Sequence, residues 1–380
     1  MRPAKALLSA LLIVIPVSLW ANGFSLAGFE LASVGFMPEE ADRPLVVTAG
    51  SVSARFIPAS WINIRGGVSF LLADSEKFFS PIKENATPGV LLFDNASVFI
   101  RLPVATPTGL TFFTGTFDDP SSDTLLRDWL KSSIAAPEFH ELPAGMPFSS
   151  ESKIEGSGLL VATVPGAANC ATGFYAYWNG LRGSESIFTG DARVAAVGDL
   201  FAINAFAGLS ARPQDSRGTF RGAVTALLAG ESGNEFYVSM GISNVEPGES
   251  EIGRKIYLVF EPRIRWERAD LALSFFSSPV FPENAVSYIP DDSGSVYLGA
   301  NVLLGFGNLE TDGKRAGVSF LGSINPEDPG SVTPFSFSVT PFYSMMVSDF
   351  QCTLSGAIKP FSLDDPGTAI EICLSLKAVY

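Results

Sequence analysis

One histidine, three cysteines and two glycine-rich turns are the residues whose types could carry covalent or nucleotide chemistry, and none stands in the pattern that chemistry needs. His140 is the only histidine. It sits in a loop between Pro137 and Pro143, beside Glu141 and near Ser149 and Ser150. A hydrolase needs such a base held against both an acid and a nucleophile, which a lone loop histidine does not provide. Gly156-Ser157-Gly158 opens an alternating run rather than a helix, so it is no dinucleotide loop. Gly307 to Lys314 ends in a Gly-Lys pair, but its spacing is wrong for a phosphate loop and Arg315 stands where Ser or Thr is required. Cys170, Cys352 and Cys373 have no metal spacing. Cys352 falls in an apolar register and Cys373 in a polar one, which disfavours a bridge between them. No enzyme, metal site or cofactor is expected.

The remaining chemistry is that of charge. Arg55, Arg65, Arg101, Arg193, Arg263 and Arg265 share a register with polar residues, each within a few positions of a short turn. Their meaning depends on the elements that carry them, and those elements are strands.

From Phe24 onward the chain is a series of short alternating runs broken by Gly, Pro, Asp and Asn. Ile256, Leu258, Phe260, Ile264 and Trp266 alternate with Tyr257, Glu261, Arg263, Arg265 and Glu267. Ile62, Ile64, Val68, Phe70 and Leu72 alternate with Trp61, Asn63, Arg65 and Ser69. Period two marks a strand with one apolar and one polar face. Runs of roughly ten residues suit tilted membrane-crossing strands. About 14–18 such runs are present, with 18 the best count. The connections alternate in length. Short ones lie near Pro103–Pro107 and Glu267–Ala269, and long ones near Ala73–Val90 and Asp118–Glu155. A soluble sandwich shows the same alternation, but would have to stack all these apolar faces in pairs.

The ends add to this. Arg2 and Lys5 precede an apolar stretch, Ala6–Leu19, and Ala21 is a plausible cleavage residue, so residues 1–21 read as a signal peptide. Removing them takes the formal net charge from −14 to −16. So acidic a chain has no basic footprint for nucleic acid. No later window approaches the roughly 18 uninterrupted apolar residues of a transmembrane helix. At the other end, Ile370, Ile372, Leu374, Leu376, Ala378 and Tyr380 alternate with Glu371, Cys373, Ser375 and Lys377.

With its export signal, strand alternation, loop asymmetry and terminal aromatic, the chain resembles bacterial outer-membrane β-barrels of the broad porin-like class. The resemblance covers nearly all of 22–380 and points to no single family. It implies an all-β fold, a closed antiparallel transmembrane β-barrel forming one domain. It also implies an outer-membrane location, lipid as a partner, and recognition of the C-terminal strand ending at Tyr380 by barrel-assembly machinery. Both termini would then be periplasmic. The last strand would pair with the first, near Phe24–Phe36, and with that near Phe350–Ile358.

One segment departs from period two. Within the long loop 118–155, Leu125, Leu126, Trp129, Leu130 and Ile134 recur at helical spacing behind Ser121-Ser122-Asp123, predicting a helix of about three turns near 122–135. It either lies outside the barrel or folds into the lumen.

In such a barrel the six arginines, with Glu261, line the pore. One reading is a basic collar that favours anions in a passive channel for small solutes. The other is an ordinary polar wall in which Glu261, Asp191 and Glu267 offset the arginines. The outer loops are acidic at Glu39, Glu40 and Asp42, at Glu246, Glu249 and Glu251, at Asp291 and Asp292, and at Glu327 and Asp328. The alternative functions are a surface adhesin or structural barrel with a plugged lumen, and a hydrophobic-substrate transporter. The solute and the oligomeric state stay open.

Overall fold

The computed structural model describes residues 23–36, 45–72, 90–118, 124–138, 154–165, 169–179, 187–211, 218–230, 233–248, 250, 252–279, 296–324, 335–362 and 369–378. Residues 1–21, His140, Tyr380 and every acidic loop residue named above except Glu246 lie outside them.

Among the described residues, eighteen strands follow one another along the chain. They are β1 (Phe24–Phe36), β2 (Leu45–Ala59), β3 (Ile62–Leu72), β4 (Val90–Leu102), β5 (Thr108–Asp118), β6 (Ile154–Thr163), β7 (Cys170–Asn179), β8 (Ile187–Gly198) and β9 (Phe201–Ala211). The second half comprises β10 (Gly218–Ala229), β11 (Glu235–Val245), β12 (Ile256–Arg265), β13 (Ala269–Pro279), β14 (Val296–Phe306), β15 (Lys314–Ile324), β16 (Phe335–Val347), β17 (Phe350–Ile358) and β18 (Ile370–Ala378).

Each strand pairs antiparallel with its neighbours in sequence, and β18 closes on β1. Closure leaves no open edge, so every strand finds backbone partners on both sides without water. The terminal strand pairs as its sequence predicts, with Lys377 opposite Glu30 on β1 and opposite Gln351 on β17. Even-to-odd connections are short, as at Ser60–Trp61, Asp199–Leu200 and Ser348–Asp349, while most odd-to-even ones are longer, up to 119–153. The described chain therefore begins and ends at one rim, that of the short turns.

Period two sorts the faces. Ile372 and Leu374 of β18 are each 56% exposed on the outer wall, and Leu209, Phe174 and Leu354 are likewise exposed. Trp61 and Trp266 stand exposed at the short-turn rim and Trp178 toward the other. A polar exception on the outer face satisfies itself: Ser33 and Thr48, on the register of Leu374, share a 3.0 Å hydroxyl hydrogen bond. Cys352 shares the outward register of Leu376, whereas Cys373 shares the inward register of Ser355, and all three cysteines are free thiols.

The inner face is not uniformly polar. Leu160, Ala162, Ala171, Tyr175 and Ala195 occupy inward positions of β6–β8, and with Leu125, Leu126 and Ile134 of the long loop they form the main buried cluster. The core of this barrel is thus inside its lumen, where the cluster reaches from Phe113 of β5 round to Leu321 of β15.

Candidate constriction site

Residues 124–138, the described part of the connection between β5 and β6, lie inside the lumen. The spacing around Leu125 predicts three helical turns; the structure holds a six-residue π-helical turn, Leu125–Leu130, ended by Lys131 in the left-handed region at φ 55, ψ 38. From Ser132 to Glu138 the chain carries no helical or strand structure. The apolar positions read as a helix stripe are still buried together, but Ile134 gets there through coil. Three turns fail because the apolar wall of β6–β8 binds Leu125 and Leu126 at one end while polar anchors pull the other end across the lumen.

Those anchors can be followed residue by residue. Asp128 Oδ1 accepts from Arg65 Nη2 of β3 at 2.7 Å and from Arg127 Nε at 3.3 Å. Trp129 packs edge-on to Phe99 of β4, with 5.8 Å between ring centroids. Gly109 of β5 leaves room for both rings, since a Cβ there would lie 2.3 Å from Phe99 and 2.8 Å from Trp129. Further on, Ala135 O accepts from Arg263 Nη2 of β12 at 2.7 Å. Glu138 O accepts from Asn301 of β14 at 3.3 Å, and the Glu138 carboxylate pairs with Arg315 of β15 at 2.7 Å. The segment therefore runs from the β3–β4 wall past β6–β8 to β12–β15, at the level of the arginines.

The candidate pore residues fall into separate groups. Arg55 and Arg65 face each other in register across β2 and β3, and Arg55 Nε donates to Asn63 Oδ1 at 3.0 Å. Arg263 and Arg265 share Glu235 at 3.3 and 3.0 Å, and Arg263 also meets Glu261 at 2.6 Å. Glu261 is 1% exposed and also accepts from Ser274, so it is sealed into the wall. Arg193 is buried too, 3.7 Å from Asp191 and between the rings of Tyr175 and Phe206 at 5.2 and 4.7 Å. Arg101 lies exposed on the inward register opposite Gly109. The described charges do not form one collar.

Sequence reasoning passed over several participants. Arg127, Asp128 and Lys131 lie between the apolar positions of the predicted helix, and only the fold brings them to the wall. Arg221, on the same inward register as Ala223 and Thr225, reaches Asp191 at 2.6 Å and also bonds Tyr177. Arg315 pairs with Asp270 at 2.7 Å as well as with Glu138.

Two cavities flank the inserted segment. The larger, about 640 Å³, lies between the π-turn and the β1–β4 wall. Among the described residues, Arg55, Arg65, Arg127 and Lys131 line it with one carboxylate, that of Asp128, together with Ser25, Ser53, Asn95 and Ser97. The smaller, about 300 Å³, lies under Ala135–Glu138 and mixes Arg263, Arg265, Arg268 and Arg315 with Glu138, Glu261, Glu267, Asp270 and Glu310. Partial burial pushes the Asp128 carboxyl up, but Arg127 and Arg65 together outweigh it and hold it below the ordinary carboxylate value.

A closed antiparallel barrel of 18 strands, apolar outside and crossed inside by a folded-in loop, has the architecture of porin-like outer-membrane β-barrels. Solved structures bear this out at the level of fold. The chain aligns over 98% of its length with 87% of Wzi, a carbohydrate-binding outer-membrane barrel involved in group 1 capsule assembly in Escherichia coli, at 9% identity and a TM-score of 0.51. It aligns over 94% of its length with 98% of OccAB4 of Acinetobacter baumannii, at 9% identity and a TM-score of 0.50. No protein-family model and no curated protein matches the sequence.

Proposed function

We propose that this chain is an outer-membrane channel for passive diffusion of small solutes, and that it favours anions at its constriction. The observation that carries this reading is the cavity of about 640 Å³ beside the π-turn, whose described lining holds four cationic side chains and one carboxylate. Rings and clusters of like charge set selectivity by lowering the energy of a counter-charged solute and raising that of its opposite. The mixed cavity under Ala135–Glu138 contributes less, because its arginines are matched by carboxylates. Export by residues 1–21, outer-membrane lipid as surrounding solvent, and assembly through the C-terminal strand belong to the same proposal, as does a periplasmic short-turn rim. The chemistry requires neither cofactor nor catalytic residue.

The test is a planar-bilayer recording of the refolded protein with a salt gradient across the membrane. Discrete conductance steps with a reversal potential displaced toward that of the anion are expected. A barrel that inserts but never conducts would instead be a plugged structural or ligand-binding barrel. A reversal potential on the cation side would overturn the anion preference.

A further inference from the structure

We infer that Asp128 is a tethered competitor for an oxyanion site built from Arg65 and Arg127, and that solutes carrying a carboxylate or phosphate group pass the constriction by displacing it. This rests on the channel reading and adds a class of solute to it. The Asp128 carboxylate already occupies the position such a solute would take, with donors from two guanidinium groups at 2.7 and 3.3 Å on one oxygen. Arg55 lies opposite Arg65 in register and Lys131, which donates to the Asp128 carbonyl at 2.7 Å, closes the π-turn, so the displaced carboxylate leaves a site in a cavity that all four cations line.

The site is reachable. The side chains of Arg65, Asp128 and Arg127 are 21%, 28% and 43% exposed, and all line the cavity of about 640 Å³. Ion pairs exposed to this degree are weak and screened, so another anion can open them. Displacement does not require the segment to leave, because Leu125, Leu126 and Trp129 are held by packing. Guanidinium forks match the paired oxygens of carboxylates and phosphates, which a spherical halide lacks. Competition at Asp128 therefore discriminates oxyanions from chloride, which a diffuse positive potential does not do.

The test measures block of chloride current by inorganic phosphate in wild type, Asp128→Asn, Arg65→Ser and Glu138→Gln. Asp128→Asn removes the competing charge and should lower the half-blocking phosphate concentration about tenfold. Arg65→Ser should raise it by a similar factor. Glu138→Gln loosens the same segment at its far anchor on Arg315 and should leave the phosphate block where it was. No shift in Asp128→Asn, or equal shifts in Asp128→Asn and Glu138→Gln, would overturn the inference. Phosphate binding to the barrel in detergent, followed by calorimetry on the same variants, makes the same comparison independently of conduction. A non-conducting barrel with the expected binding order would sink the channel and keep the site.

Discussion

Asp128, on a loop, and Arg65, on strand β3, are 63 positions apart in the chain and meet at 2.7 Å inside the barrel. That contact ties the inserted segment to the wall beside the larger cavity. It also sets a pH dependence. A carboxyl held low in the folded state stabilises the fold above its unfolded value, and that contribution is lost progressively as pH falls from there through the lowered folded value, where the folded carboxyl itself takes up its proton. The latch should therefore persist through the ordinary carboxylate value of 3.8 and weaken below it. Difference fluorescence between wild type and Trp129→Phe, titrated downward in pH, reads this directly: the Trp129 signal should hold through 3.8 and change only at lower pH.

Charge removal should act unequally on the two sides of the segment. Replacing Arg55 and Arg65 with Ser strips two of four cations from the larger cavity and should cut the anion-to-cation permeability ratio about fivefold, an effect of roughly 1 kcal/mol. Replacing Arg263 and Arg265 should change it less, because Glu235 and Glu261 already offset them. Reversal potentials of the two double variants decide the order.

The packed end of the segment should be the stronger anchor. Leu125 and Leu126 are fully buried, and truncating a buried Leu to Ala costs about 2–5 kcal/mol. Leu125→Ala with Leu126→Ala should release the segment and enlarge the single-channel conductance. It should also expose the loop to proteolysis in the intact barrel.

Gly109 should tolerate no larger residue. A side chain there meets Phe99 and Trp129 at once, so Gly109→Val should expel Trp129 from the wall. Iodide quenching of Trp129 should rise in Gly109→Val while heat-dependent gel migration of the barrel stays normal.

Asp191 is fully buried between Arg193 and Arg221. Its removal takes the buried carboxylate from two guanidinium groups in the wall, and breaking a buried ion pair costs about 3–5 kcal/mol. Asp191→Ala should lower the urea midpoint of unfolding accordingly, and adding Arg221→Met should recover part of the loss.

Much of this was legible in the residues themselves. The alternation of Ile370 to Ala378 was enough to state which face of β18 points outward and that β1 and β17 flank it, because strand period and closure are local rules repeated eighteen times. The inward register of Arg55, Arg65, Arg263 and Arg265 followed from the same count. The apolar inner wall was harder to see, since Leu159, Leu160, Val161 and Ala162 are apolar on both faces and the run carries no sign of which side is packed.

Only the tertiary structure decided where residues 124–138 go and which arginines are neutralised. Leu125, Leu126 and Trp129 at helical spacing announce an apolar stripe but not its partner, and that partner selected a single π-turn over three helical turns. The pairing of Arg315 with Glu138 spans 177 positions and depends on how a closed wall presents distant side chains to one another. Alternation along a strand is written into adjacent residues; charge balance across a lumen exists only once the barrel has closed around its loop.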